Sequence, residues 1–169
     1  MNIIFTVIVA FLIALGAAYY YGSERPSQSQ EKTNEESSQT PQMLALTAVN
    51  RSGQGLSEMP KEILSMTQVQ ELDLSNNNLT GALPAEIRHL SSLEVLNISN
   101  NKMTGLPAEL GQLSKLRVLN AANNQLTGIP HELGNLQSLE ILDLSGNDIS
   151  AQDLDVIRKN LPQSTQIIL

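Results

Sequence analysis

The segment VQELDLSNNNL, at residues 69–79, has apolar side chains at its first, fourth, sixth and last positions and asparagine at its ninth. The same pattern returns as LEVLNISNNKM, LRVLNAANNQL and LEILDLSGNDI, which begin at residues 93, 116 and 139. Alternate side chains of a strand point to one face, so the fourth and sixth positions are predicted to face a shared core. A motif that recurs every 23 or 24 residues predicts a solenoid of stacked coils.

The repeat extends beyond these four motifs to five units, of which the first and the last are less regular. The units are 46–68, 69–92, 93–115, 116–138 and 139–163, and a terminal strand is predicted at 164–169. This pattern resembles the leucine-rich repeat family. The second halves of the units, such as TGALPAEI and TGIPHEL, resemble both the plant-receptor form and the shorter form common in bacterial proteins.

The resemblance implies an α/β solenoid with the shape of a horseshoe. A parallel β-sheet would line its concave side, and short helical or extended turns would form its convex side. At the C-terminal end, Ser150 is placed to cap a helix in which Leu154, Ile157 and Leu161 recur at helical spacing. We therefore expect an amphipathic helix there, followed by the terminal strand.

The consecutive asparagines 76–78 are predicted to serve different purposes. Asn77 shares its repeat phase with three others, and an inward-facing amide at this corner can satisfy buried backbone groups. The predicted structural ladder is Asn77, Asn101, Asn124 and Asn147. Asn76 precedes the ladder by one position, as Asn100 and Asn123 do, and we expect these three to be exposed and available to a partner. Asn78 lies in a glycosylation sequon that arises from the repeat itself, and we expect it to be unmodified.

Composition restricts the chemistry that this chain can perform. Its 169 residues carry a net charge of −7, which argues against nucleic-acid binding, and they include no cysteine for disulfides or thiolate sites. The two histidines, His89 and His131, occupy different phases of the repeat, so nothing brings them together as metal ligands. No phosphate-binding loop or nucleophile motif is present. We expect a protein that is not an enzyme, with no catalytic residue, metal or cofactor.

The N-terminal region differs in composition from the repeats. Residues 3–21 are uncharged and long enough for a helix to cross a bilayer, so 1–22 are predicted to be a transmembrane signal anchor. A cleaved signal peptide is the alternative, but no Lys or Arg precedes the apolar run. Residues 23–42 have the composition of a disordered polar linker. Together these segments suggest a single-pass membrane protein whose domain at 43–169 lies outside the cytoplasm. The repeat resemblance suggests a bacterial source.

Candidate binding residues follow from the strand phases that face away from the core. In successive units these phases form columns across the predicted sheet, with Val95, Val118 and Ile141 as a contiguous apolar part. The candidate partner-binding residues are Glu71, Asp73, Glu94, Val95, Asn97, Arg117, Val118, Asn120, Glu140, Ile141 and Asp143. The alternative is that Val and Ile merely suit strands and that the charges merely solvate the sheet.

These columns lead to two hypotheses about function. The first is a membrane-tethered, monomeric module that binds a protein partner with a basic and apolar segment. The second is a structural or adhesive element of the cell envelope that binds polysaccharide. Carbohydrate surfaces usually stack sugars on aromatic rings, and every aromatic residue of this chain lies within the first 21 residues. The sequence therefore favours a protein partner over a polysaccharide.

Overall fold

The structure is a computed structural model, and it describes residues 47–169. The predicted anchor, the predicted linker and residues 43–46 lie outside this range. The strands in chain order are β1 (Ala48–Asn50), β2 (Glu71–Asp73), β3 (Thr80–Gly81), β4 (Val95–Asn97), β5 (Lys102–Met103), β6 (Val118–Asn120), β7 (Ile141–Asp143) and β8 (Gln166–Ile168). Six of them form one parallel sheet in the order β1-β2-β4-β6-β7-β8, while β3 and β5 pair separately. The predicted solenoid with a parallel sheet is confirmed.

The central residue of each three-residue strand points into the core. Parallel pairing places Leu72 beside Leu96, then Leu119 and Leu142, and all four side chains are fully buried. Because every coil adds leucines at the same depth, the buried side chains form one continuous cluster along the solenoid. Burial of a leucine side chain contributes about 1.5–3 kcal/mol. The core is therefore the main source of stability.

Opposite the sheet, each of the first four coils turns through a short 3₁₀-helix. The four helices are Lys61–Ser65, Ala85–His89, Ala108–Gln112 and His131–Asn135. The residue before each is proline, with φ between −61° and −73°. Proline favours this φ and donates no backbone hydrogen bond, so it suits the start of a helix. One side chain at the centre of each helix, such as Leu110, is buried against the core.

The last coil replaces the 3₁₀-helix with an α-helix, α1 (Ala151–Arg158). The backbone N–H of Asp153 donates to Oγ of the N-cap residue Ser150 (3.1 Å), as the sequence predicts. Leu154 and Ile157 on its inner face are buried. After the helix, β8 pairs with β7 at the edge of the sheet, so the predicted helix and terminal strand are both confirmed.

After each of the strands β2, β4, β6 and β7, the side-chain amide of an asparagine forms hydrogen bonds with main-chain groups. Oδ1 of Asn101 accepts from the N–H of Leu79 (3.0 Å). Its Nδ2 donates to the carbonyl oxygens of Leu74 (3.1 Å), Ile98 (3.0 Å) and Ser99 (3.2 Å). Two of these bonds reach the preceding coil. The amides at 77, 124 and 147 make equivalent bonds, so the asparagines join successive coils.

The residue just before each ladder position adopts a left-handed backbone conformation. Asn76, Asn100 and Asn123 have φ values of 56°, 55° and 53°, and the same phase is held by Gly53 and Gly146, with φ of 67° and 70°. Glycine enters this region freely, and asparagine does so at lower cost than most other residues. The exposed asparagines of this column are therefore explained by the turn itself, whether or not a partner also contacts them.

A single extra residue distinguishes the second unit from its neighbours. The second unit has TGALP where the third has TGLP, and the additional residue is Ala82. Gly81 beside it has a φ of 68°, and its carbonyl oxygen accepts from the N–H of Thr104 (2.9 Å). Next to this extra residue lies a groove of about 620 Å³, lined by Met59, Leu64, Leu83 and other residues. The strands β2 and β4 nevertheless remain in register.

Across residues 47–169, no helix has both the length and the apolar character needed to span a bilayer.

Candidate functional site

The concave face carries the side chains that flank the buried residue of each strand. Register places Val95 beside Val118 and Val118 beside Ile141, so the three form an apolar stripe across β4, β6 and β7. Each of them is only partly buried. The stripe is thus accessible apolar surface at the middle of the sheet.

Two carboxylates expected on this face are buried. Asp73 and Asp143 are only 3% and 9% exposed. Oδ1 of each accepts the backbone N–H of the serine two residues later, at 2.8 Å for Ser75 and 3.0 Å for Ser145. The prediction that both carboxylates are exposed is wrong, because each side chain folds back to close the turn after its strand. The first role of these carboxylates is to fix the backbone turn by accepting its N–H groups.

Asn97 and Asn120 make the same turn in the intervening coils. Oδ1 of Asn97 accepts from the backbone N–H (3.1 Å) and the hydroxyl (2.8 Å) of Ser99, and Oδ1 of Asn120 accepts from the N–H of Ala122 (3.0 Å). Within residues 47–169, the Nδ2 atoms of these two asparagines have no hydrogen-bond partner. The strands β2, β4, β6 and β7 thus each end in a side chain with one oxygen that accepts a backbone N–H.

A cluster of three charged residues borders the apolar stripe. The guanidinium of Arg117 donates to both carboxylate oxygens of Glu140, at 2.9 and 3.1 Å, and approaches Glu94 at 3.8 Å. Hydrogen bonds to Glu140 raise the pKa of Arg117 above its ordinary value, so the guanidinium remains charged. More than half of the Arg117 side chain is exposed, so the pair contributes little to stability. The cluster retains one net negative charge.

The remaining candidates divide between the sheet and its rim. Glu71 lies on β2, in register with Val95, and extends the acidic side of the stripe. On the rim, Nδ2 of Asn123 donates to Oδ1 of Asn100 (3.0 Å), and Nδ2 of Asn76 donates to Oγ of Ser52 (3.2 Å). These rim amides, predicted to be available, are partly occupied by hydrogen bonds to neighbouring side chains. The structure therefore brings the stripe, the charged cluster and Glu71 together on one face.

Neither histidine takes part in this face. His89 and His131 lie on different 3₁₀-helices and both are exposed. In the part of the chain that the structure describes, no three histidine or acidic side chains are arranged to hold a metal ion.

The turn-closing role of the strand-end residues escaped sequence reasoning, although a signal was present. Each Asp or Asn of this column is followed two positions later by a small residue, as in Asp73 with Ser75 and Asn120 with Ala122. Asp and Asn commonly accept a hydrogen bond from the backbone two residues on. This spacing indicates side-chain oxygens that accept hydrogen bonds from backbone N–H groups.

Comparison with known proteins is consistent with this architecture. The family model for a leucine-rich repeat region matches residues 60–163, which is more than half of the chain. No curated protein matches the sequence. Among solved structures, a leucine-rich repeat protein of Leptospira interrogans is 42% identical, with a TM-score of 0.62, over 67% of this chain and 28% of that one.

Two plant structures are also similar. The BIR3–SERK2 complex of Arabidopsis thaliana matches at 34% identity and a TM-score of 0.56, over 61% of this chain and 57% of that one. The ectodomain of the membrane receptor kinase GASSHO1/SCHENGEN3 of Arabidopsis thaliana, in complex with Casparian strip integrity factor 2, matches at 33% identity and 0.55, over 66% and 14%. The chain therefore spans less than two thirds of the length of these structures. With the repeat matched by sequence and by fold, the chain belongs to the leucine-rich repeat family.

Proposed function

We propose that this chain is a membrane-tethered interaction module, without catalytic activity, that binds a partner polypeptide on its concave face. The observation that carries the proposal is the stripe of Val95, Val118 and Ile141, which is in register on neighbouring strands and accessible. Apolar area at the centre of a concave surface can be fully desolvated by a partner and so supplies affinity. Removing it from water contributes about 25 cal/mol per Å².

The charge around the stripe favours a basic partner. Glu71, Glu94 and Glu140 carry three negative charges, against which Arg117 is the single positive charge of the candidate set. Since Arg117 is already paired with Glu140, it offers little to an acidic ligand. A segment with a lysine or arginine next to an apolar residue would complement both features.

The similar plant structures support a protein partner. One is a complex of BIR3 with SERK2, and another is a receptor ectodomain in complex with an integrity factor. Both use the same repeat architecture as this chain. For this chain, the proposal is that its concave face binds a protein partner of different identity.

The stripe can be tested with a phage-displayed library of random linear peptides, selected on the immobilised full chain. We expect enrichment of peptides that combine apolar and basic residues. Val118→Asp should weaken the binding of these peptides about thirtyfold, which corresponds to about 2 kcal/mol, because it puts a carboxylate where an apolar side chain must be desolvated. Titration calorimetry with the selected peptides would measure the change.

The matched control lies on the convex side, where Glu109→Lys alters charge in the third 3₁₀-helix without touching the sheet. It should leave peptide affinity unchanged. If Glu109→Lys loses the peptides while Val118→Asp keeps them, the binding surface is on the convex side and the proposal is wrong.

The tether is proposed from sequence, since residues 1–22 lie outside the described range. If these residues remain as an anchor, the full chain should stay in the membrane fraction after a carbonate wash, because about 19 uncharged residues in a helix match the hydrocarbon thickness. Release of the chain by carbonate, together with a mature N-terminus near Ala17, would show that the segment is a cleaved signal peptide instead.

A further inference from the structure

We infer that Asn97 and Asn120 are specificity residues that donate hydrogen bonds to main-chain carbonyl oxygens of an extended partner peptide. The inference rests on the proposed function, because it names what the concave face recognises in its partner. The peptide would lie across β4 and β6, with its apolar side chains on Val95 and Val118. The partner chemistry is thus an extended, neutral to basic polypeptide segment.

The orientation of both amides is set by their surroundings. Oδ1 of Asn120 accepts the backbone N–H of Ala122 at 3.0 Å, and an N–H can be satisfied only by an oxygen at this position. The aspartates of the same column accept from the equivalent N–H with carboxylate oxygens, which shows independently that the turn requires an acceptor. With the oxygen occupied, the two N–H bonds of the amide remain for a ligand.

The residues of the same column differ in hydrogen-bonding character. Asn97 and Asn120 present free N–H groups on adjacent strands, and Asp73 and Asp143 flank them with carboxylates. A pair of donors between two negative charges is suited to an uncharged acceptor.

Main-chain carbonyl groups fit this requirement better than a carboxylate ligand does. An anionic ligand at the donor pair would face Asp73, Asp143 and the net negative charge of the cluster beside them, and it would be repelled. Peptide carbonyls are neutral, strong acceptors that every extended segment provides. Adjacent strands are about 4.8 Å apart and alternate carbonyls of an extended chain about 6.7 Å apart. Two hydrogen bonds of about 2.9 Å take up this difference, so a peptide that crosses the strands can reach both in-register amides.

The substitution Asn120→Asp tests the donor directly. An aspartate keeps the oxygen that closes the turn, as the native aspartates at 73 and 143 show, but it replaces the N–H donors with a second acceptor. We expect binding of the library-selected peptides to weaken at least tenfold. The matched control is Asn50→Asp, which makes the same change in the same turn on β1, outside the stripe, and also next to an aspartate in the register. It should bind the peptides as wild type does.

A second measurement uses the wild-type full chain and therefore does not depend on a variant that folds. Each amide of a selected peptide is replaced in turn by an ester, whose carbonyl is a weaker acceptor. Esters at one or two positions should weaken binding to wild type several-fold and have little further effect on Asn120→Asp, as a double-mutant cycle would reveal.

Three results would overturn the inference. If Asn120→Asp binds as wild type while Val118→Asp does not, the donor role is wrong and the proposed concave site stands. Equal losses for Asn120→Asp and Asn50→Asp would mean that the effect is not specific to the donor at position 120. If no ester position weakens binding, the amides do not contact main-chain carbonyls. If Val118→Asp also binds the selected peptides with wild-type affinity, the proposed function itself is wrong.

Discussion

Replacing Asn101 with alanine should lower the free energy of unfolding by about 3 kcal/mol. Asn101 is 8% exposed, and its side chain makes four hydrogen bonds, one as acceptor and three as donor. Alanine removes the partner of each, so an N–H and three carbonyl groups lose a hydrogen bond at a site that water hardly reaches. Two of these groups belong to the preceding coil, so the loss also weakens the contact between coils. Urea denaturation followed by circular dichroism would measure it.

The neighbouring exposed position provides the control. Asn100→Ala should cost only about 1 kcal/mol, because alanine is disfavoured at the φ of 55° that asparagine adopts there. Asn100→Gly should be close to neutral, since glycine holds the same phase at Gly53 and Gly146. If Asn101→Ala and Asn100→Ala lowered stability equally, the buried amide bonds would not be the cause.

The second large effect is expected at Gly111, where even one added methyl group has no room. A Cβ at this position would overlap the main-chain carbonyl of Glu132 and lie 2.7 Å from its carbon atom. Glu132 belongs to the 3₁₀-helix of the next coil, so two coils approach here through their backbones. We expect Gly111→Ala to destabilise the protein by about 3 kcal/mol, although alanine favours helix by about 1 kcal/mol.

Gly105 is the appropriate comparison, because a Cβ there meets no atom within 4 Å and its φ is not positive. Gly105→Ala should be neutral or slightly stabilising, since alanine restricts the unfolded chain. Thermal melting of both variants separates steric overlap from a general effect of removing glycine. Similar melting temperatures for the two would contradict the close approach of the coils.

Much of the fold is predictable from sequence because the repeat presents the same evidence several times. A single leucine says little, but Leu72, Leu96, Leu119 and Leu142 at one phase identify a buried column. The C-terminal helix follows from local capping and spacing around Ser150. The extra residue in one unit and the close approach of two backbones are harder to predict from sequence. They depend on single positions, such as Ala82 and Gly111, that differ between units.

The candidate site was predictable in outline only. The apolar stripe follows from strand alternation and register, so Val95, Val118 and Ile141 were expected to lie together. Asp73 and Asp143 were misjudged because charged side chains usually prefer water, and a short-range hydrogen bond to the backbone outweighs that preference here. The left-handed backbone at Asn76 was missed because asparagine also suits exposed loops of ordinary conformation.

The extra residue of the second unit also bears on how such a protein can diversify. Ala82 lengthens that unit, and the chain absorbs it on the flank through Gly81 and the short pairing of β3 with β5. The sheet does not shift, since Leu72 still pairs with Leu96 across the longer connection. A change in the length of a unit therefore leaves the strand register of the sheet unchanged. During evolution, insertions can therefore change the surface away from the sheet without moving the residue columns of the concave face. The two surfaces can acquire new properties separately.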